Sequence, residues 1–253
     1  MALRRLRAVA RLTRSVVHGL HGLGIVLLRF PRLTPEAQLA RIRWWSEKML
    51  RVLGIALRVE GTAASGGKLL AVNHISWLDS MVVPAVLPEA RFVSKADVKA
   101  WPLISRLVDA GGTIYLERER KRDALRVVHA MAQALAAGQT VAIFPEGTTS
   151  TGHGLLPFHA NLLQAAISTA TPVQPAALRF SDSSDEVSVA MEFVGETSLA
   201  QSLWNSACGE GVVVRLAFLP PRASAGAERR ALGALLRADI AGALAIDLQP
   251  PEA

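Results

Sequence analysis

Residues 69–72 read Leu-Leu-Ala-Val and are followed at once by Asn73-His74-Ile75-Ser76-Trp77-Leu78-Asp79-Ser80. A short apolar run that ends in polar residues is a buried strand delivering its last side chains into a loop. An imidazole at such a strand end can take a proton from a hydroxyl near neutral pH. A carboxylate on its other ring nitrogen sets its tautomer and orientation. Asp79 lies close enough along the chain to fold back through one helical turn and do this. The same letters also spell a structural device, because Ser76-x-x-Asp79 is a capping box with Asp as its acid. That device leaves Asn73 and His74 unexplained.

Two further runs carry chemistry. In Gly111-Gly112-Thr113-Ile114-Tyr115-Leu116-Glu117-Arg118 a glycine turn feeds a short strand whose exit presents Arg118. A guanidinium suits a phosphate or carboxylate because its fork binds bidentately, although strand-end arginines on surfaces are common. Lys95, just past the apolar stretch at 91–93, is a second cation at a strand end. In Phe144-Pro145-Glu146-Gly147-Thr148-Thr149-Ser150 the strand Val-Ala-Ile-Phe ends at a tight turn. Gly147 permits the turn, and successive amides with the Thr148 and Thr149 hydroxyls can form an anion-binding nest. Glu146 would repel a phosphate, so it is expected to anchor Arg118 or a backbone amide. Thr171-Pro172-Val173-Gln174-Pro175-Ala176 has less chemistry, since prolines flanking a strand shape a wall. There is no Gly-x-Ser-x-Gly elbow, P-loop or dinucleotide glycine motif. A His with an Asp and no evident nucleophile points to direct transfer, in which the base activates an acceptor hydroxyl against an external thioester.

The elements that must position these residues alternate. Strands are expected at 68–72, 91–93, 113–116, 140–144, 173–178, 187–193 and 212–218, and helices at 77–86, 98–110, 122–137, 160–170 and 225–248. This is an α/β pattern with a mixed, largely parallel sheet flanked by helices. Half the residues are apolar, which excludes a disordered chain. The single cysteine, Cys208, excludes an intrachain disulfide framework and a multi-cysteine metal site, and reads as a small packed residue.

The net charge of +7 is unevenly placed. Residues 1–58 hold twelve Lys or Arg against Glu36 and Glu47, whereas the rest of the chain holds sixteen basic and nineteen acidic side chains. A basic N-terminal segment on a near-neutral domain calls for an anionic surface. From Val16 to Phe30 the segment is apolar but interrupted by His18 and His21, and it is too short for a bilayer span of roughly 20 residues. After Pro31, Thr34 can cap a second helix with Pro35 at its first position, running to about Gly54. Trp44 and Trp45 among Arg41, Arg43 and Lys48 form an interface-anchor pattern. The expected division is a two-helix, basic, membrane-associating arm at 1–60 and a folded domain at 61–253. An ordinary solvated helical hairpin is the simpler alternative. No nucleic-acid module is visible, so no nucleic-acid partner is expected.

Taken in order, these motifs resemble the 1-acylglycerol-3-phosphate acyltransferase family of glycerolipid acyltransferases. The resemblance runs from about Lys68 to Leu178, and the arm before it looks like that family's membrane anchor. It implies His74 as general base with Asp79 as its orienting partner. It implies acyl-CoA or acyl carrier protein as donor, and no metal or organic cofactor. Lys95, Arg118, Glu146, Gly147 and Thr148 would line the acceptor phosphate site. The protein would sit peripherally on the cytoplasmic face of the cell membrane and pass an acyl group to the sn-2 hydroxyl of 1-acyl-sn-glycerol-3-phosphate, forming phosphatidic acid.

The chain departs from the pattern at two places. Many members carry arginine where this chain has Thr149, and basic residues follow the Pro-Phe that matches Pro157-Phe158, where here His159 follows. Losing a cation weakens a charge-assisted phosphate contact by roughly 1.5–3 kcal/mol, which brings another lysolipid, such as a lyso-ornithine lipid, into consideration as acceptor. From other classes, a lipid thioesterase in which His74 activates water and a non-catalytic lipid-binding module are the rival readings.

Overall fold

The structure, a computed structural model, describes residues 2–95, 99, 102–116 and 121–248. The chain begins with α1 (Ala2–Leu28) and, after a single 3-10 turn at Phe30–Arg32, α2 (Pro35–Leu53). The start of α2 follows from its sequence: the Thr34 hydroxyl accepts from the Ala37 amide and Pro35 occupies the first turn. Gly54 ends it in the left-handed region at φ 80°. The first helix is longer than its apolar run, because the arginine-rich residues before Val16 are helical too. No described helix is long and apolar enough to cross a membrane.

Strands and helices then alternate. They are β1 (Ala56–Glu60), β2 (Leu69–Val72), α3 (Asp79–Val86), β3 (Arg91–Lys95), α4 (Pro102–Ala110), β4 (Ile114–Leu116) and α5 (Lys121–Ala136). After these come β5 (Val141–Ile143), α6 (Gln164–Ser168), β6 (Val173–Ser181), α7 (Leu199–Cys208), β7 (Val213–Phe218) and α8 (Arg229–Ala243). The sheet has the order β1-β7-β6-β2-β5-β3-β4. From β6 to β4 all neighbours are parallel, whereas β7 is antiparallel to β6 and takes β1 as a parallel edge. The expected α/β fold with a mixed, largely parallel sheet is the one formed.

Its central strand is buried on both faces, as continuous apolar runs in parallel sheets are. Leu70 and Val72 pack with Met49, Leu50 and Leu53 of α2 and Val82 and Val83 of α3. Leu69 and Ala71 pack on the other side with Val127 and Met131 of α5, Ala165 of α6 and Leu236 of α8. A strand's period of two thus separates two cores.

Three elements differ from the sequence expectation. Residues 187–193 form no strand; they hold a 3-10 turn at Val189–Met191. Beside β6 there is no free edge, because β2 and β7 already pair with it on both sides. The Asp182 carboxylate instead accepts from the Ser184 and Asp185 amides and the Ser188 hydroxyl and curls this segment. The second difference is β1, which lies within the first sixty residues, pairs with β7 from Ala56 to Glu60 and is mostly exposed. The third is α7, capped by the Ser198 hydroxyl on the Gln201 amide.

Helix α1 is fastened to the domain by its arginines. Arg4 Nε donates to the Cys208 carbonyl at 3.1 Å, and Arg11 Nη1 donates to the carbonyls of Ala207 and Gly209 at 3.0 and 2.6 Å. Arg7 pairs with Glu210. The last carbonyls of a helix have no intrahelical partner and carry the negative end of its dipole, so cations settle there. Farther along, His18 and Trp45 stack at 5.4 Å and exchange hydrogen bonds through each other's carbonyls, His18 Nε2 to Trp45 O at 2.9 Å and Trp45 Nε1 to His18 O at 3.1 Å.

Candidate active site

Strands β2 and β5 are neighbours, with Leu69 opposite Val141 and Ala71 opposite Ile143. Continuing that register past both strand ends sets His74 beside Glu146, and the two motifs meet there. The His74 amide donates to Glu146 Oε1 at 2.7 Å. Residues 70 and 72 of β2 and 142 of β5 share one face, and His74 and Phe144 just past the strand ends continue it, so their rings lie side by side. Their centroids are 4.0 Å apart with planes 9° from parallel.

Asn73 explains how β2 can leave the sheet here without opening its neighbour. Its carboxamide accepts from the Leu178 amide at 2.7 Å and donates to the Leu178 carbonyl at 2.8 Å. The side chain thus serves β6 as the next backbone unit of β2 would have done. The motif alone gave Asn73 no role, because its partner is distant in sequence.

Asp79 is fully buried at the start of α3. Its Oδ2 receives three donors: His74 Nδ1 at 2.8 Å, the Ile75 amide at 2.7 Å and the Ser76 amide at 3.0 Å. The capping box does not form, since α3 begins at Asp79 itself and Ser76 Oγ has no hydrogen-bond partner among the described residues. The carboxylate instead closes the loop and grips the imidazole. With Nδ1 committed to a carboxylate, the favoured tautomer carries its proton on Nδ1 and leaves a lone pair on Nε2. His74 is half-buried, with a fifth of its side chain open. A base held in this way can take a proton from a hydroxyl that reaches Nε2.

Glu146 is 2% exposed, and both of its oxygens serve the backbone, Oε1 the His74 amide and Oε2 the Leu156 amide at 2.9 Å. Burial pushes its carboxyl above the usual range, against the opposing pull of those two amides. Of the two anchors expected for it, the backbone amide is the one observed. Its burial sets it behind the site, so a direct contact with an acceptor phosphate is replaced by a role in holding the loop. Gly147 turns the chain at φ 70°, which a side chain would resist. Thr148 is exposed, and the Thr149 hydroxyl donates to the Phe193 carbonyl. The Ser150 amide and hydroxyl both donate to the His74 carbonyl, at 2.8 and 3.2 Å.

Lys95 closes β3 opposite Leu116 of β4 at the same edge of the sheet, and the described part of it is its backbone. Arg118 lies outside the described residues. Tyr115 on β4 donates its hydroxyl to Asp109 at 2.6 Å, and burial together with that carboxylate pushes it up to about 12. Lys99 Nζ sits 4.4 Å from its ring centroid. Among the described residues no three His, Cys, Asp or Glu side chains gather as metal ligands would.

The His–Asp pair lies past the carboxyl end of β2, the central strand of a mixed, largely parallel α/β sheet, where an oriented imidazole can serve as a base. The family model described as acyltransferase matches residues 56–179. The chain is 32% identical over 198 residues to a 1-acyl-sn-glycerol-3-phosphate acyltransferase of Neisseria meningitidis, covering 78% of this chain and 77% of that one. It is 33% identical over 237 residues to a lyso-ornithine lipid O-acyltransferase of Pseudomonas aeruginosa, covering 90% of each. The crystal structure of the 1-acyl-sn-glycerophosphate acyltransferase of Thermotoga maritima has the same fold, with a TM-score of 0.72 at 18% identity over 96% of this chain and 97% of that one. The protein belongs to the acyltransferase family and is an acyltransferase.

Proposed function

We propose that the protein transfers a fatty acyl group from acyl-CoA or acyl carrier protein to the sn-2 hydroxyl of 1-acyl-sn-glycerol-3-phosphate. The observation that carries this reading is the His74 Nδ1–Asp79 Oδ2 contact of 2.8 Å, which leaves Nε2 as the proton acceptor. His74 Nε2 takes the hydroxyl proton as the oxygen attacks the thioester carbonyl, and backbone amides hold the tetrahedral oxyanion. When the C–S bond breaks, the thiolate leaves and takes the proton back from the imidazolium. No cofactor enters beyond the thioester. Lys95 and Arg118 supply cations for the acceptor phosphate, the Gly147 turn and the Thr148 hydroxyl contribute to the same subsite, and Glu146 keeps the loop that carries them in place.

The protein works from the cytoplasmic face of the cell membrane, held peripherally. Leu3, Leu6, Val17, Leu20 and Leu27 of α1 are all more than half exposed and fall on one stripe at about 3.6 residues per turn. Arg5 and Arg14 border that stripe, opposite the face that docks on α7. An apolar stripe with basic borders inserts into an anionic leaflet without crossing it.

A second acceptor is favoured by one observation. Thr149 stands where many relatives have arginine, and its hydroxyl is spent on the Phe193 carbonyl. A lyso-ornithine lipid, whose headgroup carries no phosphate, is the alternative substrate for the same chemistry.

The test incubates the protein in anionic vesicles with labelled oleoyl-CoA and a panel of lysolipids, beside a His74→Ala control. Transfer to lysophosphatidic acid that vanishes in the control is the expected result. Transfer confined to lyso-ornithine lipid moves the acceptor to the alternative, and release of free fatty acid without acylated lipid replaces transfer by hydrolysis.

A further inference from the structure

We propose that Phe144 is a positioning residue for His74, fixing the plane of the imidazole while Asp79 fixes its direction. This inference rests on the reading of His74 as the general base.

A single hydrogen bond at Nδ1 sets where that nitrogen points but leaves the ring free to roll about the bond axis. Rolling would swing the Nε2 lone pair out of line with an incoming hydroxyl. Asp79 Oδ2 cannot prevent it, because the same oxygen is shared with the Ile75 and Ser76 amides and contacts one edge of the ring only. The Phe144 face, 4.0 Å away and 9° from parallel, covers one side of the imidazole and resists the roll. Phe144 is itself backed by Phe92 of β3, with ring centroids 5.6 Å apart and planes at 25°. Phe92 lies in β3, and Phe144 and His74 stand just past the ends of β5 and β2, so the stack sits at the carboxyl edge of the sheet. The turn that follows is closed by the Gly147 amide on the Phe144 carbonyl at 3.0 Å, which holds the phenyl ring's backbone in place.

Alignment of this kind acts on the reacting geometry and leaves substrate affinity alone, and a misplacement of about 1 Å can cost on the order of 10²-fold. Phe144→Leu keeps an apolar side chain but removes the flat face, whereas Phe144→Trp keeps a face. In the vesicle assay, the Leu variant is expected to lose about 10–100-fold in kcat, with KM for both substrates within about twofold of the unaltered protein. The Trp variant is expected to stay within about threefold in kcat. Proton–carbon spectra of the imidazoles check that the stack forms, and the loss in kcat rather than KM with rescue by the Trp variant is the readout that packing alone would not move. The His74 ring protons, assigned by their absence in His74→Ala, should lie upfield from the Phe144 ring current, move downfield in the Leu variant and remain upfield in the Trp variant. A folded Leu variant with unaltered kcat, or with its whole loss in KM, overturns the proposal. So do His74 resonances that do not move. If the unaltered protein transfers no acyl group to any acceptor, the functional reading falls, and the spectra alone then decide whether Phe144 holds the ring.

Discussion

At the scale of single residues, the site is a division of labour around one imidazole. Asp79 Oδ2 faces Nδ1, Phe144 covers a ring face, and the Glu146 and Ser150 side chains tie down the His74 backbone through its amide and carbonyl. Asp79→Asn isolates the electrostatic part of this arrangement. A carboxamide oxygen can still receive the Ile75 and Ser76 amides, so the loop should close and the melting temperature should change little. The negative charge that stabilises the imidazolium is gone, however, and turnover should fall about 10²–10⁴-fold. Steady-state rates on a variant with a native circular dichroism spectrum test this, and unchanged turnover would remove Asp79 from the mechanism.

Among elements, Glu146 is the clasp between the ends of β2 and β5, because one carboxylate serves amides from the His74 loop and from Leu156. Glu146→Gln leaves one of those two buried amides without an acceptor, at a cost of about 1–3 kcal/mol. Its titration adds a pH dependence with a definite sign. The folded-state carboxyl lies above its ordinary range, so the folded state binds the proton more tightly than the unfolded state does. Stability from this group is complete below the ordinary carboxyl range and is lost as pH rises through the raised folded value. Glutamine does not titrate. The stability advantage of the unaltered protein over Glu146→Gln should therefore shrink as pH rises from the ordinary carboxyl range upward. Denaturant midpoints across pH 4 to 8 measure the difference (approximate limits that bracket the usual carboxyl value), and an advantage that grows with pH contradicts the assignment.

For the molecule as a whole, the N-terminal arm has two faces with separate tasks. One carries Arg4, Arg7 and Arg11 and docks on the end of α7. The other carries the exposed leucines and valines. Three of the twelve basic side chains of residues 1–58 are thus spent on that docking within the protein, and Arg5 and Arg14 border the exposed apolar stripe. Leu6→Glu and Leu20→Glu should each weaken binding to phosphatidylglycerol vesicles by about 10–150-fold, the equivalent of the roughly 1.5–3 kcal/mol for burying a leucine, with no change in melting temperature. Co-sedimentation measures this, and unaltered binding in the double variant would move the membrane contact to another face.

The amino-acid sequence by itself determined the α/β class, the start of α2, and the loop that carries His74 and Asp79. Strand period, caps and turn residues act over a few neighbours, and each of those features is local. It also set two possible roles for Asp79 without choosing between them. Only the tertiary structure decided that choice, by starting α3 at Asp79 and burying its carboxylate beneath the imidazole. It likewise assigned Asn73 to Leu178, Glu146 to the amides of His74 and Leu156, and Phe144 to the face of His74. All of these contacts except that of Glu146 with Leu156 join residues 70 or more apart. The same cause explains β1 and residues 187–193. Whether an alternating segment becomes a strand depends on a free edge being available, and that is a property of the assembled sheet.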